Sequence, residues 1–156
     1  MKKHLILFSI LLIGLTACKK IQSDSIIPKQ AAVDEQKIQD YIKANNISAQ
    51  RDPSGIYYQI ILPGNDTSKV TLESTVQLTY TYKYLNGVVI GTVDGALGRL
   101  NTFIPGLQKG IPKIGDKGRI LLIIPSGYAY GTATQNGIPG NSVLVYTVDL
   151  NGIAAQ

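Results

Sequence analysis

The residues best suited to chemistry in this 156-residue chain are the two tyrosines of Tyr128-Ala129-Tyr130-Gly131. The run Arg119 to Ile124, which is apolar after its first residue, and then Pro125 precede them. We therefore expect an irregular segment that ends a buried strand and presents two phenol hydroxyls beside an apolar core. A phenol hydroxyl donates and accepts hydrogen bonds, and it stays protonated near neutral pH. These residues favour a site that works by shape, desolvation and hydrogen bonding.

The first 17 residues are typical of a removable secretory signal. A basic start, Lys2-Lys3-His4, precedes the apolar run Leu5 to Leu15. That run is too short to span a bilayer as a helix and fits the apolar region of a signal peptide. We therefore predict that residues 1–17 form a signal peptide and take no part in the fold.

A small-residue tetrapeptide, Leu15-Thr16-Ala17-Cys18, ends this segment. It resembles the bacterial lipobox, in which the Cys is lipidated and becomes the first residue of the mature protein. We predict a membrane anchor at Cys18 and a flexible tether at residues 18–32. The location would be the bacterial cell envelope, and we favour the periplasmic side of the outer membrane. An ordinary signal peptide with a chance Cys and an uncleaved anchor are the alternatives.

The composition of the remaining chain excludes several kinds of site. The only His and the only Met lie in the predicted signal, and the only Cys is the predicted lipid attachment point. A Ser-His-Asp triad, a thiol nucleophile and a Cys/His zinc site are therefore excluded. We expect no metal and no cofactor. Removing Lys2 and Lys3 leaves 13 basic and 10 acidic residues without a basic patch, so we expect no nucleic-acid partner.

The elements that would position the tyrosines are mostly strands. A helix is predicted from Asp34, as N-cap, to about Asn46, within an N-terminal region of residues 33–50. Its apolar face, Ile38, Tyr41 and Ile42, would pack on the domain or on a partner. Residues 55–154 then form one domain whose predicted strands are Ile56 to Leu62, Val76 to Leu85, Val88 to Ile90, Arg119 to Ile124 and Ser142 to Leu150.

The connections are short and contain one small helix. Asn86-Gly87 predicts a type I′ hairpin turn, and the glycine-containing run Gly91 to Asn101 predicts a loop. Phe103 to Ile111 can hold a turn or two of helix, and Gly115 to Gly118 is a second tight turn. Short connections and alternating apolar positions predict an α+β fold, in which an antiparallel sheet covers its apolar face with that helix and loops.

Several segments, in order, resemble motifs of the FKBP-type peptidyl-prolyl cis-trans isomerases. The resemblance covers about two thirds of the chain, from Gly55 to Ile153. It implies a twisted antiparallel sheet wrapped around one short α-helix, with the N-terminal helix as an addition. The matching segments are Val76-Gln77-Leu78-Thr79-Tyr80-Thr81, Asn86-Gly87, Phe103 to Ile111, Ile114-Gly115-Asp116-Lys117-Gly118, Tyr128-Ala129-Tyr130-Gly131, Ile138-Pro139 and Leu144 to Leu150.

The resemblance also implies an apolar, aromatic-lined pocket that binds X-Pro segments of polypeptide clients. The Tyr130 hydroxyl and the backbone N–H of Ile104 match family groups that bind carbonyls, and they are the expected catalytic groups. Leu107 stands where the family often has Trp and would form the pocket floor. Tyr146 replaces the usual Phe and would add a hydroxyl at the pocket edge. The other expected substrate-binding residues are Tyr80, Ile90, Phe103 and Ile138.

One departure from the family bears on catalysis. The family usually has F-D-S-S after the hairpin, and its Asp borders the pocket, whereas this chain has Ile90-Gly91-Thr92-Val93. Asp94 is the nearest carboxylate, and Tyr82 and Tyr84 are assigned to sheet packing. Three hypotheses stay open. They are an isomerase that assists folding of exported proteins, a weakly catalytic or non-catalytic binding module or chaperone, and a structural lipoprotein that docks in an envelope complex.

Overall fold

The computed structural model describes residues 29–65 and 69–154. The predicted signal peptide, Cys18 and most of the predicted tether lie outside the described residues. Within the described ranges, no helix is long and apolar enough to cross a membrane.

In the described part of the chain, six antiparallel strands form a single sheet in the order β1-β2-β5-β6-β3-β4. Two α-helices accompany the sheet, Gln30–Ala44 (α1) and Pro105–Gly110 (α2). The predicted α+β fold, with one short internal helix and an N-terminal helix, is confirmed. The strands are Gln50–Arg51 (β1), Tyr57–Leu62 (β2), Thr75–Tyr84 (β3), Val89–Arg99 (β4), Arg119–Ile124 (β5) and Leu144–Ile153 (β6), and single turns of 3₁₀ helix lie at Leu100–Thr102, Ile111–Lys113 and Ser126–Tyr128.

The sheet buries side chains on both faces because successive residues of a strand point to opposite sides. On the front face, Leu122 of β5 and Tyr146 of β6 pack with Leu107 of α2 in the main apolar cluster. On the back face, Ile123 and Val145 pack with Ile38 of α1 in a second cluster. The helix α1 therefore packs on the domain, on the face opposite to α2.

The short helix α2 lies directly on β5. A Cβ atom at Gly106 would come within 2.5 Å of Ile124 Cγ2, and one at Gly110 would collide with the Leu122 side chain. The two glycines are four residues apart, so they face the same strand and allow the close approach.

The predicted loop at Gly91 to Asn101 is wrong, because Val89–Arg99 form the edge strand β4. Its pairing with β3 shifts register opposite Leu78–Tyr80 and again opposite Tyr82–Lys83. At the first shift, Gly95 adopts a φ of 64°, the left-handed conformation that glycine tolerates. These irregularities break the two-residue period from which a strand is predicted.

The predicted type I′ turn is also wrong. Gly87 has a φ of 89°, whereas Asn86 is not among the residues with positive φ. The Gly87 N–H donates to the Tyr84 carbonyl at 3.0 Å, and the Tyr84 N–H donates to the Val88 carbonyl at 3.0 Å. This pattern is a three-residue loop, in which a type I turn is followed by a left-handed glycine. The Asn86 side chain stabilises it by accepting the Val88 N–H at 3.0 Å.

The helix α1 begins earlier than predicted. It runs from Gln30, inside the predicted tether, and its N-cap is Lys29 rather than Asp34. Good helix formers at positions 30–32 extend it toward the N-terminus. Asp34 is 1% exposed and lies inside the helix, with a distant partner described below.

Candidate functional site

Three tyrosine rings pack together on the front face of the sheet. Tyr80 and Tyr82 are two residues apart on β3, and Tyr146 of β6 pairs directly with Tyr82. The ring centroids of Tyr82 and Tyr146 are 5.2 Å apart at an interplanar angle of 14°, and those of Tyr80 and Tyr146 are 5.6 Å apart at 44°. These separations are typical of aromatic pairs that stabilise one another. Together with Tyr130 we call them the tyrosine cluster.

Tyr130 reaches this cluster from the turn that follows β5. Pro125 ends the strand, and the Ser126 carbonyl accepts the N–H groups of Ala129 at 3.0 Å and Gly131 at 2.8 Å. Gly131 closes the turn with a φ of 75°. The predicted irregular segment after the buried strand is confirmed.

Burial keeps the phenols of Tyr80, Tyr82 and Tyr146 protonated. It raises the pKa of Tyr146, and an interaction with the Tyr130 hydroxyl raises that pKa further. Burial and then the neighbouring Tyr130 also raise the pKa of both Tyr80 and Tyr82. The Tyr80 and Tyr82 hydroxyls are therefore available as hydrogen-bond donors at neutral pH and slightly above, whereas the Tyr146 side chain is enclosed.

The start of α2 supplies a backbone donor. Ile104 is its N-cap residue, and the Ile104 carbonyl accepts the N–H groups of Leu107 at 3.0 Å and Gln108 at 3.2 Å. The Gln108 side chain donates to the Phe103 carbonyl at 2.8 Å and so fixes the segment before the helix. Among the hydrogen bonds of the described residues, none uses the Ile104 N–H, which can therefore donate to a ligand.

The structure brings all eight predicted site residues into the main apolar cluster. Leu107 is 2% exposed, and Ile138 and Tyr146 are each 1% exposed, so these three side chains are enclosed. The Tyr146 hydroxyl is thus not at an open pocket edge. The half-buried side chains that pack on the enclosed ones are Tyr80, Ile90, Phe103, Ile104 and Tyr130.

Sequence reasoning missed the place of Tyr82. Tyr82 pairs with Gly91 of β4, and a Cβ at Gly91 would lie 3.0 Å from Tyr82 Cε1 and 3.1 Å from Tyr82 Oη. The phenol therefore occupies the space that a side chain at position 91 would take. Asp94 does not replace the missing carboxylate. It accepts a hydrogen bond from Thr79 Oγ1 at 2.8 Å, and Thr79 points to the face opposite Tyr80.

A cavity of about 230 Å³ lies behind the turn that carries Tyr130. It lies between α1 and this turn, and none of the eight predicted site residues lines it. Its walls include Asp34, Arg51, Ser126, Tyr128 and Gly131.

The chain is similar in sequence to known proteins of one family. The family model for FKBP-type peptidyl-prolyl cis-trans isomerases matches residues 66–151. The chain is 30% identical over 142 residues to the isomerase FkpA of Escherichia coli K12, a match that covers 84% of this chain and 50% of FkpA. The chain thus spans about half the length of this curated relative.

Solved structures show the same fold. The crystal structure of E. coli FkpA superposes with a TM-score of 0.70 at 29% identity, over 79% of this chain and 60% of that one. A peptidyl-prolyl isomerase from Pseudomonas syringae superposes with a TM-score of 0.67 at 17% identity, over 82% of this chain and 98% of that one. The chain belongs to the FKBP-type peptidyl-prolyl cis-trans isomerase family, as its sequence motifs predicted.

Proposed function

We propose that the protein is a peptidyl-prolyl cis-trans isomerase that assists the folding of proline-containing polypeptides in the bacterial cell envelope. The observation that supports this function most directly is that the tyrosine cluster and Ile104 pack in the same main apolar cluster, on a fold of this family. The cluster presents apolar surface and hydrogen-bond donors, which rotation about an amide bond can use without a nucleophile.

The chemistry follows from the barrier that the site must lower. Amide resonance sets a barrier of about 18–20 kcal/mol to rotation, and the twisted state loses the charge separation of that resonance. Apolar surroundings disfavour the charge-separated planar form and so favour the twisted state. X-Pro bonds are the suitable substrates because their cis and trans forms differ by only about 0.5–1 kcal/mol.

Hydrogen bonds then add selectivity for the transition state. In this proposal the Tyr130 hydroxyl and the Ile104 N–H donate to carbonyls of the bound segment, and these bonds strengthen as the amide twists. Tyr80, Ile90 and Phe103 contact the proline and its neighbours. The enclosed Leu107, Ile138 and Tyr146 form the floor under those half-buried side chains.

A protease-coupled isomerisation assay on an Ala-Pro peptide tests the function. We expect the wild-type chain to accelerate isomerisation, and Tyr130→Phe to lower kcat/KM about tenfold, the effect of losing one hydrogen bond of ~1.4 kcal/mol. Tyr41→Phe, which removes a phenol hydroxyl from the back-face cluster, is the matched control. The absence of any acceleration at micromolar protein would refute the enzyme hypothesis.

A second candidate is a binding module or chaperone with little turnover. Tyr82 fills the space beside Gly91, and Asp94 bonds to Thr79 on the opposite face of the sheet, which favours binding over catalysis. In this case peptides with X-Pro bonds would bind without accelerated isomerisation. Suppression of client aggregation would also persist in Tyr130→Phe.

We also propose that Cys18 anchors the protein to the envelope membrane. The support is the lipobox-like sequence before it and the position of the folded domain after it. Fractionation of cells that express Cys18→Ser should find the protein released from membranes. A variant that stays membrane-bound would show that another segment supplies the anchor.

A further inference from the structure

One residue of the N-terminal helix, Asp34, forms hydrogen bonds with the turn that carries Tyr130. Asp34 Oδ2 accepts hydrogen bonds from the Ser126 backbone N–H at 2.8 Å and from Ser126 Oγ at 2.6 Å. Asp34 Oδ1 accepts a third bond from Gln30 Nε2 at 2.7 Å. Both partners of the long-range contact are almost fully buried, Asp34 at 1% and Ser126 at 2% exposure.

This arrangement is a costly way to hold a helix on a sheet. A buried carboxylate needs strong compensation, and within the described residues Asp34 forms no salt bridge with a cation. The helix is already attached through Ile38, which is fully buried in the back-face cluster. Well-packed apolar residues would stabilise the same junction without burying a charge, so the contact calls for another role.

Ser126 is the residue on which the geometry of the turn depends. Its carbonyl accepts both the Ala129 N–H and the Gly131 N–H, the two bonds that enclose Tyr130. The cavity of about 230 Å³ lies between the turn and α1, so the packing of α1 against the turn is incomplete there. The directional hydrogen bonds to Asp34 take the place of that packing.

We propose that Asp34 is a positioning residue for the site, which holds Ser126 and thereby sets the direction in which Tyr130 presents its hydroxyl. Asp34 does not touch the substrate. It connects α1 on the back face of the sheet with the site on the front face. This inference rests on the proposed isomerase function, and it extends that function to a residue outside the range matched by the family model.

The test compares Asp34→Ala with Asp34→Asn in the full chain. Alanine removes the acceptor, and we expect kcat/KM for the Ala-Pro peptide to fall about tenfold while the protein stays folded. Asparagine keeps an oxygen that can accept both Ser126 bonds, so it should restore most of the activity. Asp40→Ala is the matched control, because Asp40 is exposed on the same helix and, among the described residues, its side chain bonds only to Gln36.

A double-mutant cycle separates positioning from general stability. If Asp34 acts through Tyr130, then Asp34→Ala should cost little further kcat/KM in a Tyr130→Phe background. Additive losses, or wild-type activity in a folded Asp34→Ala, would overturn the inference. Should Asp34→Ala fail to fold, Ser126→Ala removes only the hydroxyl bond and is judged by the same cycle, with a smaller loss of about threefold.

A spectroscopic measurement distinguishes failure of this inference from failure of the proposed function. The NMR chemical shifts of the Tyr130 ring, in protein with labelled tyrosine, should change in Asp34→Ala and stay unchanged in Asp40→Ala. If the wild-type chain shows no isomerase activity, the proposed function fails, and these shifts still decide whether Asp34 positions Tyr130. Unchanged Tyr130 shifts in Asp34→Ala would refute the positioning role.

Discussion

Replacing Gly91 by alanine tests whether the ring of Tyr82 belongs to the binding surface. The new Cβ would lie 3.0 Å from Tyr82 Cε1, 3.1 Å from Oη and 3.3 Å from Cζ. Carbon atoms in ordinary contact are about 3.5–4.0 Å apart, so the ring must move by a few tenths of an ångström. The movement disturbs its stack on Tyr146, whose ring centroid is 5.2 Å away.

The size of the effect follows from the worth of that stack. An aromatic pair contributes about 0.5–1.5 kcal/mol beyond its buried area. Its complete loss corresponds to a factor of about 2 to 13 in an equilibrium constant, and we expect kcat/KM to fall within that range. The free energy of unfolding is also affected by the backbone. Alanine in a strand is more stable than glycine by about 0.5–1 kcal/mol, which opposes the destabilisation caused by the displaced ring.

Two further variants isolate the contact. Gly152→Ala makes the same change in β6, where the nearest atom is Gln77 Oε1 at 4.0 Å, and it should leave kcat/KM unchanged. In a Tyr82→Ala background the ring is gone, so Gly91→Ala should be nearly neutral in the peptide assay. The reasoning would be refuted if Gly91→Ala lowered kcat/KM equally with and without the Tyr82 ring.

Three other predictions concern pH dependence and packing. Because burial raises the pKa of the tyrosines at positions 80, 82 and 146, kcat/KM should be flat between about pH 6 and 9, and an inflection in that range would show that another group titrates. The hydrogen bond from Lys113, followed by those from Ser54, holds the pKa of Asp52 below its ordinary value of 3.8. The ionised Asp52 therefore stabilises the folded protein fully above about pH 3.8, and this stabilisation is lost as the pH falls below that value. The free energy of unfolding, measured against pH in acid, should show a loss of about 1–2 kcal/mol that Asp52→Asn abolishes. Gly110→Ala should destabilise the protein by about 1–3 kcal/mol in denaturant unfolding, since its Cβ would collide with Leu122, and an unchanged midpoint would contradict the direct packing of α2 on β5.

Much of the fold could be predicted from the sequence because its main strands keep a two-residue apolar period. The alternation in β3 and β6 placed Tyr80 and Tyr146 on the buried side, and both lie in the main apolar cluster. The edge strand β4 could not be predicted in this way. Register shifts interrupt its alternation, and Gly95 at one of them reads as a loop signal unless the partner strand is known.

The site was predicted less completely than the fold. Local motifs identified the Tyr128–Gly131 turn, yet the roles of the predicted residues stay predictions until they are measured. Tyr82 was assigned to sheet packing because its alternation alone does not reveal the glycine that faces it. An Asp before an apolar helical pattern predicts an N-cap, and the contact of Asp34 with a partner 92 residues away leaves no local pattern that could correct this prediction.

The contact between Asp34 and Ser126 changes what should be regarded as the functional unit. The family model matches residues 66–151, whereas α1 spans Gln30–Ala44 and packs on the back face of the sheet. Strand β5 contributes side chains to both faces and ends at the turn whose first residue is Ser126. The hydrogen bonds between Asp34 and Ser126 therefore connect α1 on the back face to the turn that carries Tyr130 on the front face. If Asp34 positions Tyr130, the helix that precedes the family domain supports the site. A chain of residues 66–151 alone would contain the turn that carries Tyr130 but would lack the hydrogen bonds from Asp34 that fix it.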